Sequence, residues 1–457
     1  MLRIFRSFVP PGSGVLFCSM QETVQEGLNH VSTGAITATL LIFLGSYGLI
    51  ISEKIHRTIT AIFGAGLLVV LGTLMDFYHQ GEAIAAVDFN TIGLLIGMMI
   101  IVGITKETGI FQYVAIKTAK FARGNPWHIM ILFALITAVF SAFLDNVTTV
   151  MLMVPMTLVI CDNLSIHPMP FLLTEIFMSN IGGAATLIGD PPNILIGSAA
   201  DLSFTQFLVN LGPPVLMIMV VMMILFKYMY KKRIQTDREH MEKIMTIDEK
   251  ESIEDSTLMK KSLFVLGLVI LGFFLHGMLH MEAATIAIFG AALLLLLDNK
   301  NPERVFREVE WVTIFFFVGL FVLVGGLESV GIIHWLASKL IVFTQGNMEL
   351  TSMVLLWGGA IFSAFIDNIP FVATMIPVVQ DLGATFPNLG PLWWSLALGA
   401  CLGGNGSLVG ASANLVVVGI AEKSGYKIRF LDFLKIGFII MIITVAIGNG
   451  YIWLRYF

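Results

Sequence analysis

Apolar runs long enough to cross a bilayer recur from residue 34 to residue 454, and this recurrence limits the fold class before any motif is read. A helix needs about 20 apolar residues to span the hydrocarbon, where lipid offers nothing to an unpaired backbone N–H or C=O. The runs lie near 34–52, 58–75, 91–105, 127–144, 147–161, 169–187 and 211–230. They resume near 261–279, 283–298, 311–326, 349–366, 369–380, 390–402 and 433–454. Charged residues are 12% of the 457 positions, where a water-facing domain carries roughly a quarter. Forty-three glycines suit close-packed membrane helices better than a transmembrane barrel. The expected fold is an all-α polytopic membrane protein whose first partner is the lipid bilayer. A thinly spread net charge of −5 argues against a nucleic-acid partner. Cys18, Cys161 and Cys401 have no CxxC or Cys/His metal spacing, so neither a disulfide nor a structural metal is expected.

Four segments follow from the pattern. Residues 1–32, with Arg3, Arg6 and an apolar patch broken by Pro10 and Pro11, read as an N-terminal extension rather than a well-formed signal peptide. Residues 33–230 form one transmembrane repeat, 231–260 a charged linker and 261–457 a second repeat. The stretch 227–261 carries nine Lys/Arg and eight Asp/Glu, as a solvated connection does. Lys231, Lys232 and Arg233 at its start and Lys260 and Lys261 at its end place it in the cytoplasm by the positive-inside rule. Lys54–Arg57, the basic face of 106–123, and Lys300, Arg304 and Arg307 fall on the same side; Asp76, Glu82 and Asp88 fall outside. An odd number of crossings then precedes the linker, and the repeats have opposite orientation. The stretches 108–123 (Lys117, Lys120, Arg123) and 329–345 (His334, Lys339) read as amphipathic helices along the interface.

The duplication is visible in the residues. Ser141-Ala-Phe-Leu-Asp145-Asn146 returns 222 positions later as Ser363-Ala-Phe-Ile-Asp367-Asn368. At the same offset Gly97, Gly103, Gly109, Gly124-Asn125 and Pro155 meet Gly319, Gly325, Gly331, Gly346-Asn347 and Pro377. Gly182-Gly183 and Thr186-Leu187 align with Gly403-Gly404 and Ser407-Leu408, and Ala61–Ala65 aligns with Ala287–Ala291. Inverted repeats with broken helices and re-entrant hairpins are a transporter architecture.

Each repeat breaks its apolar spans twice. The first break is Asp145-Asn146 followed by Thr148 and Thr149, matched by Asp367-Asn368-Ile-Pro370. The second is Gly189-Asp190-Pro191-Pro192-Asn193, matched by Gly403-Gly404-Asn405-Gly406-Ser407 running on to Ser412-Ala-Asn414. Non-helical backbone at membrane depth persists only where protein buries it or a water-filled cavity bathes it. Four breaks at symmetric positions therefore imply one enclosed polar site. An intramembrane aspartate costs a few kcal/mol or more when ionised. Asp145 and Asp367 then either cap the helices that follow them or hold a coupling cation or proton. Thr148, Thr149 and Thr186 are either ligands or hydroxyls bonded back along their own helices. Asn193 and Asn414 stand at helix starts, where side-chain amides and free N–H groups receive an oxyanion or a hydroxyl ligand. The paired glycines read as close-packing points. His276 and His280 have metal spacing without a third ligand and read as an interfacial pair. Glu175, inside an apolar run, is either a proton carrier or a partnered structural acid. The 25 methionines read as packing. No nucleophile motif, Walker loop or GxGxxG before a helix appears. That points away from an enzyme and toward transport driven by an ion gradient.

The strings Ser-Ala-Phe-Leu-Asp-Asn-Val-Thr-Thr (141–149), Ile-Gly-Asp-Pro-Pro-Asn (188–193) and Gly-Gly-Asn-Gly-Ser-Leu-Val-Gly-Ala-Ser-Ala-Asn (403–414) resemble the ion transporter superfamily. Within it they are similar to the family of ArsB arsenite permeases, NhaD sodium/proton antiporters and the melanosomal P protein, and most similar to the P-protein branch. The likeness covers residues 35–455. It implies that Asp145, Asn146, Asn193, Asp367, Asn368 and Asn414 line the transport site. Thr148, Thr149, Thr186, Asp190, Asn405, Ser407 and Ser412 complete the candidate substrate- and ion-binding set. The resemblance further implies elevator-like alternating access, commonly in a homodimer, and no cofactor beyond a coupling H+ or Na+. Bacterial members are often grouped as arsenite efflux permeases of the inner membrane, for which a cytoplasmic ATPase subunit is a partner to be considered. The leading expectation is proton-coupled export of a small inorganic substrate, arsenite or antimonite. Sodium/proton antiport is the alternative. A carboxylate or other anion ranks third, because neither repeat sets an Arg or Lys beside its breaks.

Overall fold

The computed structural model of the protein describes residues 32–52, 54–232, 234–299 and 301–457. Of the segments read above, the N-terminal extension other than Ser32 lies outside the described residues, Arg3, Arg6, Pro10, Pro11 and Cys18 included. Arg233 and Lys300 lie outside them as well. Among the described residues every regular element is a helix. The first repeat runs α1 (Thr33–Ser52), α2 (Arg57–Leu74), α3 (Gln80–Ala85), α4 (Phe89–Lys106), α5 (Ile110–Phe121), α6 (Pro126–Phe143), α7 (Asn146–Asn163), α8 (Met169–Gly183), α9 (Pro191–Ala199) and α10 (Phe204–Tyr230). The linker carries α11 (Arg238–Thr246). The second repeat runs α12 (Ser256–Leu279), α13 (Ala283–Asp298), α14 (Pro302–Phe306), α15 (Trp311–Ser329), α16 (Ile332–Thr344), α17 (Met348–Phe365), α18 (Asn368–Asp381), α19 (Gly390–Gly403), α20 (Ser412–Lys423) and α21 (Phe430–Tyr456). Ten of these are long and apolar enough to cross a membrane.

Local chemistry starts and stops the helices where the sequence supplies it. Asp88 caps α4 by accepting the N–H groups of Asn90 and Thr91 at 3.0 and 3.2 Å. Asn125 with Pro126 opens α6, and Ser203 with Gln206 forms a capping box on α10. The duplication reaches the backbone itself. Gly109 and Gly331 both have φ 78°, and Gly124 and Gly346 both have φ 67°. Only glycine enters that region without strain.

The chain divides into two compact units, and each draws helices from both repeats. One unit holds the described residues up to Val87 with Phe315–Thr351 and Pro377–Leu389. In it a Cβ on Gly319 of α15 would lie 2.7 Å from the Ala61 carbonyl carbon of α2. The buried Tyr78 hydroxyl donates to Val322 O at 3.0 Å, and His334 of α16 bonds Asp381 at the end of α18 at 2.8 Å. The other unit comprises Asp88–Ile314, Ser352–Ile376 and Gly390–Phe457. There the equivalent glycine, Gly97 of α4, meets the equivalent alanine, Ala287 of α13, at 2.6 Å. Each repeat thus lends the other the small-residue helix its own glycine face packs against.

The larger unit fixes the direction of its broken helices. A Cβ on Gly124, just before α6, would lie 2.6 Å from Met241 O of the linker helix. Leu164 O, just after α7, accepts from the Thr236 hydroxyl of the linker at 2.5 Å. Helices α6 and α7 therefore each have one end on the linker side, and their junction at Asp145 turns back beside the break of the next helix pair, to which Ser141 and Ala142 bond, as the tip of a re-entrant hairpin does. The runs 127–144 and 147–161 are hairpin arms rather than crossings. Helix α8 starts from the linker side as well, and after the break α9 continues to the far side, where α10 begins. Arg455 and Tyr456 at the end of α21 bond Val209 O and the Asn210 side chain near the start of α10, so α10 and α21 are antiparallel. His167 stacks edge-on against Tyr426, with ring centroids 5.3 Å apart, which brings the end of α20 to the linker side. The broken pair α19–α20 hence runs opposite to α8–α9. This is the inverted arrangement.

The linker is mostly exposed, as its charge predicts, yet it is strapped down rather than free. Lys120 of α5 bonds Glu249 at 2.6 Å and Ile247 O at 3.1 Å, and Glu254 N–H donates to Thr108 O at 3.1 Å. Ile244 is fully buried, and any Cβ on Gly109 would collide with Ser252 O. The Lys120 hydrogen bond holds the Glu249 carboxyl below its ordinary 4.5. A folded-state value lower than the unfolded one contributes stability that is complete above 4.5 and fades as pH falls through the depressed value. Tryptic cutting at Lys243 and Lys250 should therefore accelerate as pH drops below 4.5, after correction for the protease's own pH profile. Lys120→Met should be cut quickly throughout, and a wild-type rate flat across that window would mean the clasp is not electrostatic.

Candidate functional site

All thirteen residues of the candidate set fall in the larger unit, at the two hairpin tips and the two helix breaks. The breaks are built twice from the same parts. Ser141 Oγ donates to Ser179 O and Ser363 Oγ to Ala400 O, both at 2.6 Å. The Thr186 hydroxyl donates to Ala142 O, and Ser407 Oγ donates to Ala364 O at 2.5 Å. Asn193 Nδ2 turns back on Thr186 O at 2.8 Å, as Asn414 Nδ2 does on Ser407 O at 2.9 Å. Thr186 is therefore tied across to α6 rather than back along its own helix. The two asparagines close their breaks by occupying carbonyls that the interrupted helix leaves unpaired, each worth about 1–3 kcal/mol if orphaned. The glycine pairs are the close-packing points expected: a Cβ on Gly182 would lie 2.2 Å from Ala138 O, and one on Gly403 2.6 Å from Ala360 O.

Asp145 caps α7, accepting the Thr148 N–H at 2.8 Å. It does so at φ 133°, ψ 158°, a region almost reserved for glycine, and such strain costs about 1–3 kcal/mol. Asp367 accepts the Ile369 N–H at 3.1 Å and the Ser412 hydroxyl at 3.0 Å, joining one hairpin tip to the break of the same repeat. Capping is thus present at both tips. Thr149 is buried with its hydroxyl unpartnered, and Thr148 is half-buried.

The two repeats interlock through side-chain amides. Asn180 Nδ2 donates to Asn405 Oδ1 and Asn414 Oδ1, both at 3.0 Å, while its Oδ1 accepts from Asn146 at 3.3 Å. Cys401 is the residue of the second repeat that matches Asn180, and its thiol donates to Asn193 Oδ1 at 3.4 Å. The contacts 180 to 414 and 401 to 193 are thus exchanged by the internal symmetry. Asp190, fully buried, accepts from Asn368 Nδ2 at 3.2 and 3.3 Å. Its counterpart in the second repeat is Ala411, so symmetry fails where the charge is. No Lys, Arg or His among the described residues forms an ion pair with Asp145 or Asp190.

Neither Asn180 nor Cys401 belongs to the candidate binding set. A buriable amide two positions before Gly182-Gly183, in a mostly apolar run, is the available signal, as is its alignment with Cys401. His276 Nε2 accepts the Phe204 N–H at 2.9 Å. With His280, Asn90, Asp201 and Glu282 it lines a cavity of about 750 Å³ at the far-side end of α9. Among the described residues no group of three or more His, Cys, Asp or Glu is placed to hold a metal.

Comparison with known proteins matches the family described as citrate transporter over residues 47–399. The chain belongs to that family. A Mycobacterium tuberculosis protein named as an uncharacterized transporter is 42% identical over 91% of this chain and 97% of that one. The human P protein is 35% identical over 91% of this chain, which spans 59% of the P protein's length. Among solved structures, Alcanivorax borkumensis YdaH superposes with a TM-score of 0.59 at 14% identity, covering 88% of this chain and 97% of that one. Neisseria gonorrhoeae MtrF does so with 0.56 at 12%, covering 90% and 97%. At such identities the likeness is one of fold. This member of the citrate transporter family is an integral membrane transporter.

Proposed function

We propose that the protein is a secondary active cation antiporter exchanging Na+ for H+ at Asp145, Asp190 and Asp367. The observation that carries this reading is the buried Asp190, which receives only neutral donors from the opposite repeat. A carboxylate out of water with no fixed cation beside it is costly unless a mobile cation or proton neutralises it. Oxygen ligands of this kind suit a hard monovalent cation. Free citrate or another bare polyanion is disfavoured by the same carboxylates. A second reading, proton-coupled export of arsenite or antimonite, draws support from two buried polar groups without partners, Asn405 Nδ2 and Thr149 Oγ1, since a neutral trihydroxide needs such groups. On either reading the repeats work by alternating access, in an elevator-like homodimer of the bacterial inner membrane with the linker in the cytoplasm.

Proteoliposomes loaded in turn with sodium, arsenite, antimonite, chloride or citrate, with and without a pH gradient, test the assignment. Sodium should drive proton movement, and Asp190→Asn should abolish it. Proton flux indifferent to sodium but dependent on antimonite would establish the second reading instead.

A further inference from the structure

We infer that Glu175 on α8 is a proton-binding site on the linker-side half of the transport path, separate from the carboxylates at the breaks. The inference rests on the cation-coupled reading and names the proton as an ion handled at this position. Glu175 is 1% exposed, on a helix surrounded by α6, α7, α10, α19 and α20. One of its carboxylate oxygens accepts from the Thr157 hydroxyl of α7, and the other, Oε2, has no partner. Facing it from α7 is Cys161, itself buried, the one titratable group set electrostatically against it. No other titratable group on these five helices bonds or ion-pairs with it among the described residues.

The second repeat supplies the control that the fold makes for itself. The position matching Glu175 is Leu396, and the one matching Thr157 is Val379. Leu396 and Val379 are both fully buried, or nearly so. Each matching position is therefore buried as hydrocarbon, so neither the acid nor its hydroxyl is demanded by the architecture. An isolated buried carboxylate costs several kcal/mol as an anion, and the repeat shows that leucine would fill the place without that cost. The acid and hydroxyl occur together in one repeat and are absent together from the other, as expected if they form one unit. That unit holds a proton on Oε2 when Glu175 is neutral, and Thr157 Oγ1 steadies Oε1 when it is not. Glu175 stands eight residues before Gly183, about 12 Å along the helix at 1.5 Å per residue. It thus lies between the cytoplasmic ends of α7 and α8 and the amide cluster around Asn180.

Infrared difference spectroscopy of purified protein between acid and alkaline pH tests this without any transport assay. A carboxylic-acid C=O band should disappear on alkalinisation, be missing in Glu175→Gln, and move in frequency in Thr157→Val, where the acid remains but its hydroxyl partner is gone. If every titrating carboxylic-acid band of the wild type survives in Glu175→Gln, the proposal is overturned. In proteoliposomes Glu175→Gln and Glu175→Leu, the residue of the other repeat, should lose the proton flux that accompanies sodium movement. Wild-type proton flux and pH profile in either variant would make Glu175 a structural acid. If Asp190→Asn leaves transport intact while the Glu175 band behaves as described, the antiport reading fails and the proton site stands.

Discussion

Gly182→Ala should leave little correctly folded transporter, and Gly403→Ala should do the same through the symmetric contact. At Gly182 an added Cβ would lie 2.2 Å from Ala138 O, 2.5 Å from its Cα and 2.6 Å from its carbonyl carbon. These are backbone atoms of α6, so no side chain can swing aside. Overpacking that side chains absorb costs about 1–3 kcal/mol; here a whole helix must move, and with it the Ser141 and Thr186 bonds that tie α6 to α8 and its break. The cost should lie at or beyond the upper end of that range. At Gly403 the Cβ would lie 2.6 Å from Ala360 O and 2.8 Å from Ser363 Cβ. Gly358→Ala is the matched control, because nothing lies within 4 Å of a Cβ there. That change sits inside α17 and should be neutral or stabilising by up to about 1 kcal/mol. Fluorescence-detected size exclusion after graded heating measures all three. A Gly182→Ala melting point equal to wild type would show that α6 and α8 are not locked by this contact.

Much of the architecture was written in the sequence because membrane folding leaves few alternatives. Apolar runs, the repeat offset and the Asp-Asn and Pro-Pro breaks were each visible as residue type and spacing. Re-entrant hairpins belong to the expected fold class, but which runs form their arms was not visible. An arm such as 127–144 and a true crossing both need a long apolar run, so composition cannot tell whether the chain turns back at Asp145 or goes on. The bonds of Ser141 and Ala142 to the neighbouring helix break decide it, and the linker itself reads as a plain charged segment because single residues, Lys120 and Ile244, do the fastening. The candidate ligands Asp190, Asn193, Asp367 and Asn414 were found because glycine and proline mark their surroundings. Asn180 is marked only by the Gly182-Gly183 pair two positions on. It sits inside α8, and its importance comes from which side chains of the other repeat reach it, a fact of three dimensions.

Asn180→Leu should therefore be more damaging than its surroundings suggest, abolishing transport and lowering stability while leaving the helix that carries it intact. Leucine is a better helix former than asparagine, so local propensity is not at issue. What is lost is the shared partner of three amides: Asn146 Nδ2, Asn405 Oδ1 and Asn414 Oδ1 all bond Asn180 and are all buried. Each orphaned group costs about 1–3 kcal/mol. Asn405 would suffer most, since its Nδ2 already lacks a partner. The same substitution at the symmetric position gives the internal comparison. Cys401→Leu removes one weak thiol hydrogen bond to Asn193 Oδ1, while Asn193 keeps its amide bond to Thr186 O. Cys401→Ala, which adds no bulk, should be milder still. Melting temperatures and sodium-driven proton flux for Asn180→Leu, Asn180→Cys and Cys401→Ala measure the ordering. It should run from Asn180→Leu as the worst, through Asn180→Cys, to Cys401→Ala near wild type. If Asn180→Leu and Cys401→Ala proved equally mild, the interlock between the repeats would have to reside in the bond of Asn368 to Asp190.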